Sequence, residues 1–383
     1  MRRVAVIGVG ITKFGKHDRT SAELFAQAAA DAIVDAEIAP SEVQALYYGN
    51  VTGGETEQQL HMGPLAATTL GLPSIPTTRF ETACATSHAA FRHAVMEIAS
   101  GVSDIALVGG AERVLNVPTD AATEYFAYCS DATYEQSLGL TFPGVFALIA
   151  RAHMDRYGTT EEQMAHVAVK NHRHGTLNPK AQFQKEISLE TVLRSPYVAD
   201  PLKLYDCCPF TDGGAAVVLA AEDVARRRRA VWVLATEAAA DTMFIHEKRD
   251  LARVPATERA ALQAYRRAGK TPGEIDVVEL HDCFTIAEIV ATEGLGFFEP
   301  GAGGIAAEKG WTSLGGKIPV NPSGGLKAKG HPIGATGAAQ IGEIVTQLRG
   351  DAGARQVAGA RTGLVHTLGG NTATVLVSLL GRD

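Results

Sequence analysis

Five side-chain or backbone groups, drawn from four distant stretches of the chain, have the types and settings to do acyl chemistry. Cys84 lies in Glu81-Thr-Ala-Cys84-Ala-Thr-Ser-His88, among small residues and directly ahead of an Ala-rich run, 89–99, that predicts a helix. A cysteine at the first turn of a helix faces unpaired N–H groups and the positive end of the dipole, which favour the thiolate. His281 and Cys283 stand in His281-Asp-Cys283-Phe284, at the end of the apolar stretch Ile275–Leu280. His331 is held between Gly330 and Pro332 in a glycine-rich loop before an Ala/Ile helix. Gly369 ends His366-Thr-Leu-Gly369-Gly370, after another predicted strand. A thiol with an imidazole to take its proton is a nucleophile.

The elements that must position these groups alternate strand and helix. Val4–Val9, Ala45–Tyr48, Ile105–Val108, Thr211–Ala220, Ala230–Ala235, Ile275–Leu280, Gly363–Gly370 and Thr372–Leu380 read as strands. Thr20-Ser-Ala-Glu23 is a capping-box signal for a helix running to about Glu37. Gly8-Val9-Gly10 lacks the third glycine and the helix of a dinucleotide loop, so that reading is rejected. The order strand, glycine pair, apolar strand occurs at 105–110 and 212–219 and again at 364–370 and 372–377, which predicts an internally duplicated α/β unit. In such sheets chemistry gathers at strand ends and helix starts. Between 115 and 206 the alternation fades and aromatic, His and polar residues rise, so an inserted, mostly helical region covering the site is expected there.

Composition excludes several classes. With 383 residues, two domains or fused halves are the prior. Charged residues make up 20% against 46% hydrophobic, which argues for a well-buried globular protein, and a net charge of −7 gives no global pull toward nucleic acid. The run Arg226–Arg229 reads as a solvated helix end. Five cysteines without paired spacing are no disulfide framework, and Cys207-Cys208 lacks a second pair at zinc spacing, so neither metal nor cofactor is expected. Reduced thiols and the absence of an export or membrane-spanning pattern suggest the cytoplasm.

With these segments in hand, the chain resembles the thiolase superfamily along nearly its whole length. Gly-Gly-Leu-Lys-Ala-Lys-Gly-His-Pro-Ile-Gly-Ala-Thr-Gly at 324–337 carries the resemblance, and His-Asp-Cys-Phe at 281–284 is most like the branch of sterol-carrier-protein thiolases and archaeal acetoacetyl-CoA thiolases. The resemblance implies an α/β thiolase fold of two pseudo-duplicated halves, 1–225 (with the insert at about 115–206) and 226–383, each with a mixed five-stranded sheet in a layered αβαβα arrangement. It implies a C-acyltransferase that makes or cleaves a 3-ketoacyl-CoA by Claisen chemistry. Cys84 would be the acylated nucleophile and His331 its base, with thiolate–imidazolium as the resting tendency. Cys283 would handle the α-proton, and His281 and His331 would hold the enolate oxygen. The N–H groups of Cys84 and Gly369 would hold the tetrahedral oxyanion. CoA and acyl-CoA are the implied substrates, a homodimer or larger oligomer the implied assembly, and a small OB-fold, zinc-ribbon subunit a partner in this branch. Two rivals are a retro-aldolase on a 3-hydroxyacyl-CoA and a non-catalytic acyl-binding scaffold.

One departure stands out. Where many thiolases carry a second cysteine in Cys-x-Gly, this chain has Thr367-Leu368-Gly369. Elsewhere His366 reads as a core histidine, and Cys129, Cys207 and Cys208 as packing residues. His88 reads equally as pocket or filler, and Lys327 and Lys329 equally as CoA-phosphate contacts or solvated groups. Tyr125, Phe126, Tyr128, Phe142 and Phe146 are the expected lining of an acyl pocket.

Overall fold

The structure is a computed structural model and describes residues 2–382. Its strands are β1 (Val4–Ile11), β2 (Ala45–Gly49), β3 (Thr77–Phe80), β4 (Ile105–Glu112), β5 (Tyr197–Ala199), β6 (Leu202–Lys203), β7 (Gly213–Ala221), β8 (Val231–Ala240), β9 (Val277–Glu279), β10 (Thr362–Gly369) and β11 (Thr374–Gly381). All but β5 and β6 form one mixed sheet in the order β3-β2-β4-β7-β1-β8-β11-β10-β9. The run of apolar and small residues in β4, β7, β10 and β11 has its cause here: nearly every residue of these strands is buried, so no polar face alternates.

The duplication read from the sequence is present in the pairing pattern. From the middle of the sheet outward, β1-β7-β4 are joined antiparallel and β4-β2-β3 parallel. On the other side β8-β11-β10 are antiparallel and β10-β9 parallel, and Val320 then bridges Val278 in parallel, where β3 would stand. The mixed α/β fold therefore holds, with a difference in detail. The second half has four strands and a one-residue bridge, because 321–332 leaves the sheet edge for the glycine-rich loop. The two sets are continuous through only two residue pairs, Ala5↔Trp232 and Val6↔Val231.

Small residues let the layers approach. A Cβ on Gly8 would lie 2.1 Å from the Ala32 carbonyl, and one on Gly10 1.9 Å from that of Ala28. The glycines rejected as a nucleotide loop thus seat helix Ser21–Asp35, capped by Thr20 and Glu23 as expected, against β1. Helix Ile333–Arg349 is buried at every residue except Thr346 and packs on β7, β4, β10 and helix Thr86–Ser100. A helix buried on all sides in this way belongs inside a protein, between layers.

The stretch 115–206 holds helices Thr119–Ala127, Phe142–Tyr157, Glu161–Thr176 and Leu189–Leu193 and the β5–β6 ribbon. Its residues Val145, Phe146, Ile149, Met164 and Val167 share a core with Leu280, Phe284, Ile286 and Leu326 of the second half. This stretch is thereby packed against the segments that carry His281, Cys283 and His331.

Candidate active site

Cys84 sits on a tight turn between β3 and helix Thr86–Ser100. The sequence placed it in the first helical turn; it stands just ahead of the N-cap residue Ala85. Ala83 takes a left-handed φ of +50°, Ala85 N–H donates to Thr82 O at 3.2 Å, and Thr86 N–H to Ala83 O at 3.1 Å. A non-glycine residue in that region is strained and is held there by its surroundings. Here the Thr86 hydroxyl donates to Ala83 O at 2.6 Å, and Thr82 N–H donates to that hydroxyl at 2.9 Å.

The sulfur of Cys84 and one ring nitrogen each of His281 and His331 all lie within 4.8 Å of one another. The two imidazoles meet edge to face, with centroids 5.1 Å apart. His331 has a defined tautomer. Its Nδ1 lies 2.6 Å from the Thr336 hydroxyl, which itself donates to Pro332 O at 3.0 Å. Thr336 therefore accepts, Nδ1 carries the hydrogen, and Nε2 keeps a lone pair free for the thiol proton.

Burial sets the charge state. It pushes the Cys84 thiol well above its ordinary range, with Cys129 and Cys208 adding to the rise; the amides of Gly370 and of Cys84 itself pull the other way without winning. Burial also holds His331 down to about 3, with the Lys329 ammonium contributing, and holds His281 well below the usual imidazole value, with His331 and His366 contributing. Both shifts run against the charged forms of the pair. Desolvation of either charge outweighs what the helix terminus returns.

Cys283 is buried beside the trio. Its thiol is raised by burial, then by Cys208 and Cys84, and its carbonyl accepts from Cys208 N–H at 2.9 Å. Gly369 reaches the nucleophile loop by close approach: a Cβ there would be 2.4 Å from Thr82 O. The amide directed at the sulfur is that of Gly370, one residue further on. The structure thus brings all five sequence-derived residues to one place.

The supporting shell was less visible in the sequence. Asp282, between His281 and Cys283, accepts from Leu326 N–H at 2.7 Å, Lys327 N–H at 3.3 Å and Asn171 Nδ2 at 2.7 Å. It joins the His281–Cys283 segment to the loop that leads to His331. Asn321, at φ +55°, receives Leu280 N–H at 2.8 Å and donates to Glu288 at 3.2 Å. Glu112 closes the other side, accepting from Thr52 N–H at 2.9 Å, Asn50 Nδ2 at 3.0 Å and Gly334 N–H at 2.9 Å. That last bond puts a carboxylate at the start of helix Ile333–Arg349, where the dipole favours it. Only Asp282, inside the motif, and Thr336, five residues past His331, carried any sequence signal.

Several other expectations are corrected. Lys327 and Lys329 are neither solvated nor free for phosphates. Both are buried; Lys327 donates to Cys207 O and Lys329 pairs with Glu279 at 3.3 Å. Phe142 and Phe146 turn into the core, Phe146 stacking on Phe284 at 4.6 Å, and Phe126 meets Phe210. Tyr125 and Tyr128 do line a cleft of about 330 Å³ with Val51, Met243, Ala83 and Gly370. Cys129 lines it too. His366 is a core histidine, its Nε2 3.1 Å from the Thr257 hydroxyl. His88 is fully buried and holds Thr367 at 2.9 Å and Ser378 at 2.7 Å.

Residues 4–223 match the family described as Thiolase, N-terminal domain, and residues 237–382 match Thiolase C-terminal domain-like. The chain belongs to the thiolase family. This thiolase is 47% identical to an acetyl-CoA acetyltransferase of Methanothermobacter thermautotrophicus, over 100% of both chains. It is 37% identical to human sterol carrier protein 2 over 98% of this chain and 71% of that one. It is 36% identical to the benzoylsuccinyl-CoA thiolase subunit BbsB of Thauera aromatica over 96% and 95%. Among solved structures it superposes on the Ltp2-ChsH2(DUF35) aldolase with a TM-score of 0.84 at 26% identity, covering 100% of this chain and 98% of that one. The enzyme is an acyltransferase of the thiolase type. Among the described residues no helix is long and apolar enough to cross a membrane.

Proposed function

We propose that this thiolase makes or cleaves 3-ketoacyl-CoA through an acyl-enzyme on Cys84. The observation that carries this reading is the convergence of the Cys84 sulfur with nitrogens of His281 and His331 inside 4.8 Å. As sulfur attacks a thioester carbonyl, its proton passes to Nε2 of His331, and the imidazolium returns it to the departing CoA sulfur. The amides of Cys84 and of the Gly369–Gly370 turn receive the oxyanion. Cys283 then passes its thiol proton to the imidazole pair and, as the thiolate, takes the α-proton of a second acyl-CoA, whose enolate oxygen is held by His281 and His331; the carbon attacks the acyl group, and the released Cys84 sulfur recovers the proton from the imidazole. In reverse, the neutral thiol of Cys283 protonates the departing enolate.

The working assembly in this proposal is a cytoplasmic homodimer or larger oligomer of chains divided near residue 225, with 115–206 as an insert and no cofactor beyond CoA. A small partner subunit belongs to it, a reading supported by the solved Ltp2 neighbour, whose name pairs it with ChsH2(DUF35). Retention of the whole reactive set stands against the retro-aldolase alternative and against a non-catalytic scaffold. Mass spectrometry after incubation with acyl-CoA tests this. An acyl adduct on Cys84, absent in Cys84→Ala, is expected. Turnover without an adduct would favour the aldolase; neither adduct nor turnover, even with the small subunit, would favour the scaffold.

A further inference from the structure

We propose that Cys84, His281 and His331 also form a soft-metal site, where one Zn²⁺ bound through the sulfur and two imidazole nitrogens switches the enzyme off reversibly. The proposal concerns regulation of the site described above and rests on Cys84 being its nucleophile.

One thiolate and two imidazoles are a ligand set that zinc accepts, with a fourth position left open. Tetrahedral zinc, with bonds of about 2.3 Å to sulfur and about 2.0 Å to nitrogen, spaces its donors roughly 3.3–3.6 Å apart. The three donor atoms already lie within 4.8 Å. Side-chain rotation of about an ångström closes the set. Among the described residues this is the one cluster of three or more such side chains gathered so closely.

Two further observations point to a ligand. The Nδ1–H of His331 is fixed by the Thr336 hydroxyl at 2.6 Å, which presents the lone pair of Nε2 to the cluster. A hydrogen-bonded partner on the far nitrogen is the usual support of a metal-binding histidine. His281, 1% exposed, has a buried Nδ1 with no hydrogen-bond partner. No protein partner at this nitrogen fixes the ring, so either of its nitrogens can turn to supply the donor. The thiol loses its proton to solvent as the S–Zn bond forms, and no electron moves. Spacing arguments looked for zinc at Cys207-Cys208 and missed this set, because its members come from three segments far apart in the chain.

The test uses the intact enzyme, with Zn²⁺ for inhibition and Co²⁺ as a spectroscopic stand-in. One metal per chain should bind, activity should fall in parallel and EDTA should restore it. The Co²⁺ form should show a sulfur-to-cobalt charge-transfer band. Cys84→Ala and His281→Ala should each weaken Zn²⁺ binding at least tenfold, and Thr336→Val by about 10- to 100-fold, in line with the loss of a supporting hydrogen bond. Cys207→Ser should bind as the parent does. If a variant fails to fold, acylating Cys84 in the unmodified protein gives the same answer, since the blocked sulfur should abolish the charge-transfer band. Zn²⁺ affinity unchanged in Cys84→Ala, or no sulfur band, overturns the proposal. An acyl adduct on Cys84 with no metal binding sinks this proposal alone. Metal binding at Cys84 with no adduct sinks the catalytic reading alone.

Discussion

Cys84 and His331 are topological counterparts. Each lies on the segment that leaves the outer parallel position of its half of the sheet, at Phe80 or Val320, and enters a helix, at Thr86 or Ile333. The nucleophile and its base thus come from the same place in two copies of one unit. They meet because the two helices pack against each other. The tightest point of that contact is Gly337, where a Cβ would sit 2.5 Å from His88 N and 2.7 Å from His88 Cβ.

Gly337→Ala should therefore force the two helices apart and lengthen the path between sulfur and imidazole. Overpacking at such a point costs about 1–3 kcal/mol. Thermal melting should show that loss, and the rate of Cys84 acylation should fall by more than the stability change alone explains. Parent-like melting and parent-like acylation together would refute the contact as the element that sets the pair.

The Thr336 hydroxyl gives a sharper handle on the base. In Thr336→Val the Nδ1–H loses its acceptor, and the other tautomer, with hydrogen on Nε2 toward the sulfur, becomes accessible. A base in the wrong tautomer cannot take the proton, so kcat should fall about 10- to 100-fold, within the range general-base catalysis supplies. KM should hold nearly constant, and Thr336→Ser should recover most of the activity. A pure KM effect would mean that Thr336 shapes binding instead.

The meeting of these residues was legible in the sequence, and their burial was not. Cys84, His281, Cys283 and His331 each sit beside local features (small residues, a strand end, a glycine frame) of the kind that mark functional turns, and the repeated strand-Gly-Gly-strand order anticipated the repeated pairing pattern of the sheet. Burial is a property of the assembled protein. Lys327 and Lys329 look solvated in the linear chain and are enclosed only because helix Glu161–Thr176 and the 182–183 segment lie over their loop, with Phe183 N–H donating to Ala328 O at 2.9 Å. The same enclosure raises the Cys84 thiol and lowers the His331 imidazole, against the charged pair the helix start suggests. Phe142 and Phe146 share composition with Tyr125 and Tyr128, and nothing local separates a core-facing aromatic ring from a cleft-facing one.

Acid should unfold this protein early. His88, His174, His331 and His366 are held at about 3 and His172 at about 4, and His281 well below the ordinary value, all chiefly by burial. A group depressed in the fold contributes stability that is fully present above its unfolded value, 6.5, and lost as pH falls toward the folded one. Asp282, raised to about 7 by burial and then by Glu288, acts in the opposite sense between its ordinary 3.8 and 7, as do the raised Glu112 and Glu279 over their own ranges. The histidines outnumber these carboxyls. The net loss should approach about 1.4 kcal/mol per pH unit for each excess proton taken up on unfolding. Melting temperature should therefore drop steeply from pH 6.5 to 5, and a flat profile across that window would contradict the neutral, buried histidines.

The last prediction separates the two thiols a thiolase needs. Thr367 occupies the place of the second cysteine, and its hydroxyl is already committed. Ser378 donates to Thr236 at 2.9 Å, so it accepts from His88 Nε2–H, and His88 Nδ1 must accept from Thr367. A hydroxyl locked as a donor inside a buried chain cannot shuttle the substrate α-proton, which leaves Cys283. In Cys283→Ala, Cys84 should still acylate at close to the parent rate, while condensation and thiolysis should each fall by about 10²–10⁴, the span of one acid–base group. In Thr367→Val the effect should be on stability, about 1–3 kcal/mol for an unpaired buried nitrogen on His88, with the second half-reaction little changed. Half-reactions resolved by quenched mass spectrometry would decide it. If Thr367→Val blocks condensation while Cys283→Ala does not, the proton moves through the hydroxyl and the assignment of Cys283 is wrong.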